Sequence, residues 1–207
     1  MANAFVFDLG AVLFRWDPRL LLKQVFAHRS PTEPQITQWL ADIFDGLSPN
    51  AEWSQFDRGL IEVPQLIQKI AARTGIDSAD IDRMVHAIPE HLQPMPGTIA
   101  LIDALKQAGH DLYFLSNMPI PYARHLVQMN DFAAWFRDGI FSADVQMIKP
   151  EPGIFHLAER RWNLNRPVFI DDSLKNIETA SALGWRTIHF ASAAQVGQEL
   201  TAMRLLA

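Results

Sequence analysis

The stretch "FVFDLGAVLF", residues 5–14, is apolar throughout except for Asp8. Its start reads as a short buried strand over residues 4–8, because the four consecutive Phe, Val and Ala positions before Asp8 leave no polar face. A carboxylate at the end of such a strand is held rigidly and needs a matching charge. Gly10 stands two residues further on.

The residues beyond this stretch decide the architecture. From Asp17 to about Pro94 strand-like runs disappear and helical spacing takes over. "DPRLLLKQVFAH" (17–28) offers Asp17 as N-cap and Pro18 at the first helical position. "SPTEPQITQWLADIF" (30–44) opens on another Ser-Pro start, and "NAEWSQFDRG" (50–59) reads as a short helix closed by Gly59. "VPQLIQKIAARTG" (63–75) begins at Pro64 and stops at Gly75, and "SADIDRMVHAI" (78–88) has Ser78 as N-cap. After the punctuation of "LQPMPG" (92–97) the pattern alternates. "TIALIDALKQAG" (98–109), "PYARHLVQM" (121–129), "PGIFHLAERRW" (152–162), "SLKNIETASALG" (173–184) and the tail from Ala193 read as helices. Between them "DLYFLSN" (111–117), "DGIFSADV" (138–145), "PVFIDD" (167–172) and "RTIHF" (186–190) read as strands or extended segments. Alternation of this kind predicts an α/β fold: a Rossmann-like parallel sheet covered on both faces, with an α-helical cap subdomain inserted after the first strand. The expected division is a core of residues 1–15 and 95–207 and a cap of residues 16–94.

Composition sets the outer limits. The 207 residues are 49% hydrophobic and 20% charged, enough for a sizeable core and unlike a disordered chain. With a net charge of −5 and scattered Lys and Arg, no nucleic-acid partner is expected. No signal peptide and no membrane segment are expected, since Asp8 interrupts the first apolar run and no run approaches the roughly 20 residues a bilayer span needs. The absence of cysteine excludes disulfides and thiolate chemistry and agrees with an expected cytoplasmic location. The seven histidines form no i, i+4 pair and suggest no metal pattern. A monomer or homodimer is expected.

Several strands end in polar residues: Asp8, Ser116-Asn117, and Asp171-Asp172. In open parallel sheets, ligands bind beyond the carboxyl ends of the strands, so these positions can converge on one cleft. Lys149, in "MIKPEPG", lies where it can reach the same edge. Converging carboxylates repel one another, and a divalent cation relieves the repulsion; hard oxygen ligands without His or Cys favour magnesium. A carboxylate nucleophile beside such a metal suits phosphoryl transfer through an aspartyl-phosphate. Ser116, a backbone N–H near Asn117, and Lys149 would bind the phosphoryl oxygens of a small phosphorylated substrate. Each residue also has a plain structural role open to it: turn formers at Ser116-Asn117, a helix cap at Asp171-Asp172-Ser173, a solvated cation at Lys149. Asn176 reads as structural. Trp16, Trp39, Phe44, Trp53 and Phe56 read as cap core, with one or two lining a substrate pocket.

In this order along the chain, "FDLGAVLF", "LSN", "KPEPGIF" and "FIDDSLKNIETASALGW" resemble the four motifs of the haloacid dehalogenase-like hydrolase superfamily, over nearly the whole sequence. The chain is most similar to its helical-capped bacterial phosphatases, a group that includes alpha-D-glucose-1-phosphate phosphatase. The resemblance implies Asp8 as nucleophile and Ser116 and Lys149 as its catalytic partners. It implies a Mg2+ site formed by Asp8, the Gly10 backbone carbonyl and Asp172, with Asp171 as ligand or as partner to the ligands. A sugar phosphate is among the implied substrates. The family's phosphatases usually carry a second Asp two residues after the nucleophile, which moves protons to and from the reacting oxygens. Gly10 occupies that place. Two other functions share the scaffold. A 2-haloacid dehalogenase would use the same Asp attack on carbon without metal, and the Asp171-Asp172 pair argues against it. A weakly active binding protein is suggested by Gly10 and opposed by the remaining motif residues.

Overall fold

β1 (Ala4–Phe7) forms at the opening apolar run, and it lies at the centre of the molecule: Phe5, Val6 and Phe7 are each 0% exposed. The computed structural model describes residues 3–44 and 51–206. Among these, β1 is succeeded by α1 (Pro18–Val25), a 3-10 turn at Ala27–Arg29, α2 (Glu33–Phe44), α3 (Glu52–Asp57), α4 (Val63–Thr74), α5 (Ser78–His91) and α6 (Pro96–Gln107). Then come β2 (Asp111–Ser116), α7 (Ile120–Met129), α8 (Phe132–Trp135), β3 (Asp138–Phe141) and α9 (Ser142–Val145). The chain closes with α10 (Pro152–Trp162), β4 (Val168–Asp171), α11 (Leu174–Ala182), β5 (Arg186–His189) and α12 (Ala193–Ala202).

The five strands make one parallel sheet in the order β3-β2-β1-β4-β5. Side chains alternate across it. Phe5, Phe7, Phe114 and Ile170 face a core shared with the helices between β1 and β2, while Val6, Leu115 and Phe169 face the core under α10 and α11. With both faces covered, the strands are apolar throughout, as parallel strands are. The order of connection reverses beside β1: the chain builds β2 and β3 to one side, then crosses to β4 on the other. The carboxyl ends of β2, β1 and β4 therefore lie next to one another at the switch point, where α/β sheets bind ligands.

The helical stretch leaves and rejoins the sheet at one place. Arg15 N–H donates to Gln93 C=O at 2.8 Å and Met95 N–H to Leu13 C=O at 2.8 Å, so exit and return run side by side. The buried Thr98 hydroxyl donates to Val12 C=O at 2.6 Å and ties α6 to the loop after β1.

Local starts and stops differ from the sequence reading in a few places. Asp17 caps α1, its carboxylate accepting the Leu20 N–H at 2.9 Å. α2 begins at Glu33 rather than at the Ser-Pro pair, because Thr32 and Gln35 exchange side-chain and backbone hydrogen bonds and make the cap there. α5 is capped by Asp77, not Ser78, which is its first residue. Two adjacent residues of capping chemistry leave that choice open in sequence. "DGIFSADV" divides into β3 and the single turn α9, and α8 arises where no helix was expected. Asn50, at the start of the expected helix over 50–59, lies outside the described residues.

Gly139 in β3 pairs with Phe114 of β2, whose ring lies across it: a Cβ there would meet the ring at 1.9 Å. Phe114 also meets Phe132, Phe136 and Phe141, so it has little freedom to yield. Gly139→Ala is expected to cost about 1–3 kcal/mol by overpacking, read as a lower midpoint in denaturant unfolding.

Candidate active site

Three strand ends and one loop lysine meet at the switch point. Asp8 comes directly after β1, fixed by its N–H donating to Ile170 C=O of β4 at 2.9 Å. Asp171 ends β4 and Asp172 is the next residue. One carboxylate oxygen from each of Asp8, Asp171 and Asp172 falls within 4.8 Å of the others. Lys149, 3% exposed, places its ammonium 2.8 Å from Asp8 Oδ1 and 2.7 Å from Asp171 Oδ2.

The supporting hydrogen bonds are specific. Asp171 accepts from Lys149 Nζ, from Ser173 N–H at 2.8 Å, and from Asn176 Nδ2 at 2.9 and 3.1 Å on its two oxygens. Asn176 thus has the structural role read from sequence, directed at a site residue. Asn117 gives its whole side-chain amide to the Lys149 backbone, accepting its N–H at 2.8 Å and donating to its C=O at 2.9 Å. The Asn117 side chain is therefore engaged, which leaves its main chain for the cleft.

The charges do not balance. Burial and the neighbouring Asp171 and Asp172 push the Asp8 carboxyl up to about 7, against the opposing pull of Lys149. Asp172 is raised for similar reasons, burial first and then Asp171. Burial would lower Lys149, but Asp171 and Asp8 outweigh it and hold its ammonium above the ordinary value. Three carboxylates against one cation leave an excess of negative charge, all of it on hard oxygen donors. That donor set fits a divalent cation such as magnesium.

A cleft of about 320 Å³ opens onto this cluster. Asp8, Gly10, Ser116, Asn117 and Asp172 line its polar end. Lys149 and Asp171 are not in its wall; they stand behind Asp8. Among the described residues the remaining wall is mostly apolar, with Trp16, Phe44, Trp53, Ile88, Leu92 and Tyr122 contributing. Trp16, Phe44, Trp53, Phe56 and Tyr122 form a continuous arc of ring contacts, with centroids 4.8–5.9 Å apart in consecutive pairs. Of the aromatic residues read as cap core, Trp39 and Phe56 pack inward, Trp39 against Phe26 at 4.6 Å. The other three line the cleft.

Asp57, the last residue of α3, also lines the cleft, and the sequence reading passed over it. Burial first, then the charge of Asp8, pushes its carboxyl up to about 7. Its one sequence signal is position: a carboxylate in the last turn of a helix meets the negative end of the helix dipole, where acidic residues are disfavoured.

Sheet order, site geometry and charge together point to one family. Residues 3–184 match the family profile of the haloacid dehalogenase-like hydrolases, and the chain belongs to that family. It is 28% identical over 202 residues to a protein of Aspergillus oryzae (strain ATCC 42149 / RIB 40) named sesquiterpene phosphatase astK, covering 96% of this chain and 94% of that one. It is 31% identical over 91 residues to the phosphoglycolate phosphatase of Escherichia coli (strain K12), 43% of this chain and 36% of that one. In fold it is similar to the HAD family enzyme bt-2542 from Bacteroides thetaiotaomicron, solved in complex with magnesium and inorganic phosphate. That likeness has a TM-score of 0.68 at 24% identity over 91% of this chain and 93% of the other. No helix among the described residues is long and apolar enough to cross a membrane.

Proposed function

We propose that the protein is a magnesium-dependent phosphatase acting on small phosphomonoesters whose alcohol part is apolar. The observation that carries this reading is the contact of Lys149 with both Asp8 and Asp171, behind an aromatic-walled cleft whose lining includes Asp8. Asp8 attacks phosphorus in line, and its new bond to phosphorus forms as the ester P–O bond breaks. Lys149 holds Asp8 in position and favours its ionised form. Ser116 Oγ and the Asn117 main chain, at the polar end of the cleft, bind phosphoryl oxygens. Water then attacks the aspartyl-phosphate and frees phosphate and Asp8. Asp8, Asp172 and the Gly10 carbonyl would hold Mg2+, with Asp171 orienting Lys149; when bound, the ion supplies charge stabilisation for the phosphoryl oxygens. The helical stretch from residue 16 to 94 acts as the cap, and its aromatic side chains receive the alcohol part.

The wall is what moves the substrate away from a sugar phosphate. Sugar hydroxyls need hydrogen-bonding partners, and an arc of tryptophan and phenylalanine rings supplies few. The name of the Aspergillus oryzae relative, a sesquiterpene phosphatase aligned along 94% of its length, supports the same direction. The test is phosphate release from a panel of prenyl, aryl and sugar phosphates with magnesium. Apolar esters are expected to exceed sugar phosphates in kcat/KM by roughly 10-fold or more, about 1.4 kcal/mol of additional apolar burial. EDTA is expected to abolish release from all of them. A preference for sugar phosphates would overturn the substrate assignment, and EDTA-resistant dehalogenation of 2-haloacids would overturn the reaction.

A further inference from the structure

Departure of an alkoxide from phosphorus calls for a proton at the leaving oxygen, and attack by water calls for a base. Position 10 has no side chain to do either. Among the described residues lining the cleft, the groups able to carry a proton are Asp8, Asp57, Tyr122 and Asp172. Asp8 is the nucleophile and Asp172 belongs to the metal cluster. The Tyr122 hydroxyl donates to Val85 C=O at 2.9 Å and is occupied. Asp57 remains, and its carboxyl makes no hydrogen bond or ion pair among the described residues.

The backbone around Asp57 is fixed to the sheet domain. The Ser142 hydroxyl donates to Asp57 C=O at 2.5 Å, and the same oxygen accepts the Met118 N–H at 2.8 Å. Met118 comes directly after Ser116 and Asn117, so Asp57 is tied by one hydroxyl to the loop that binds phosphate. Arg58 donates to Gln146 C=O at 3.2 Å and pairs with Glu151. At Gly59 (φ +69°) the chain packs so closely on Ala143 that a Cβ would lie 3.1 Å from its carbonyl oxygen. Three successive residues are thus anchored, while the one carboxyl among them is left free in the cleft.

We propose that Asp57 is the general acid and base of the reaction, delivered from the helical cap in place of a side chain at position 10. This role rests on the phosphatase reading. In the first step the Asp57 carboxylic acid gives its proton to the ester oxygen as the P–O bond breaks and the Asp8–phosphorus bond forms; the alcohol leaves and Asp57 becomes a carboxylate. In the second step that carboxylate takes a proton from the water attacking phosphorus. The Asp8–phosphorus bond breaks, hydrogen phosphate leaves, and Asp57 is an acid again.

Two substrates separate this role from others: a simple alkyl phosphate, whose leaving group needs a proton, and p-nitrophenyl phosphate, whose leaving group does not. Asp57→Asn keeps the side-chain shape at a carboxyl with no hydrogen bond or ion pair among the described residues, so the fold is expected to hold, as circular dichroism would show. Its kcat/KM on the alkyl ester is expected to fall roughly 10²- to 10⁴-fold. The pre-steady-state burst of nitrophenolate, which reports Asp8 attack alone, is expected to stay within a few-fold of wild type. Gly10→Asp in the Asp57→Asn background is expected to restore alkyl ester hydrolysis, because a Cβ at Gly10 meets nothing within 4 Å. Equal losses on both substrates, no loss on the alkyl ester, or a loss that Gly10→Asp leaves unchanged would each overturn the assignment. A wild-type protein that releases phosphate from neither substrate would instead overturn the phosphatase reading itself.

Discussion

Asp8→Asn is expected to lower phosphate release by roughly 10⁴-fold or more, with little change in substrate affinity. The amide keeps the shape of the side chain but is a far poorer nucleophile, and no neighbouring group can replace it. Asp171 is fully hydrogen-bonded behind the cleft, and Asp172 stands at the end of the adjacent strand, β4. The substitution also removes one of three crowded carboxylates, which relieves repulsion in the folded state. Stability is therefore expected to hold or rise while activity disappears. Steady-state kinetics beside denaturant unfolding separates the two quantities. Loss of both together would mean that Asp8 is structural.

Lys149→Met is expected to harm both. The ammonium is buried and lies within 2.8 Å of two carboxylates, so its removal leaves Asp8 and Asp171 facing each other without a cation. Deleting one partner of a buried ion pair costs about 3–5 kcal/mol, because the remaining charge is left uncompensated. The sign with pH is fixed by the direction of the shift. Asp171 and Asp8 raise Lys149 above its ordinary value, so its stabilising contribution is whole at neutral pH. It is lost only as pH climbs through that raised value. Unfolding near pH 7 should therefore report the full deficit. Turnover should fall as well, since Asp8 is then neither oriented nor favoured as the anion. A variant of wild-type stability and near-normal turnover would show that Lys149 is a bystander.

Much of the fold and site was legible in the chain because strands buried on both faces have an unmistakable signature and a polar residue at their end stands out. Asp8, Ser116, Asp171 and Asp172 are found in that way, and sheet order then sets them side by side. What sequence alone does not carry is direction. Lys149 reads as a phosphate ligand that also offsets carboxylate charge, and Asn117 as a source of a backbone N–H; the structure adds that the Lys149 ammonium contacts Asp8 and Asp171 and that the Asn117 side-chain amide holds the Lys149 backbone. Asp57 escapes notice because it closes a helix of six residues with no motif around it, and its place in the cleft beside Asp8 comes with long-range hydrogen bonds through Ser142. The aromatic residues read as core with one or two facing the pocket. Three of them, Trp16, Phe44 and Trp53, line it, because the helices around the cleft present one side to the interior and another to the cavity.

The central claim is that Asp8 takes the phosphoryl group before water does. Hydrolysis of a phosphomonoester made chiral at phosphorus with oxygen isotopes, in isotopically labelled water, tests it without requiring the intermediate to accumulate. Each in-line displacement inverts phosphorus, so passage through Asp8 predicts net retention of configuration in the released phosphate. Net inversion would mean a single direct attack by water, and would contradict the claim.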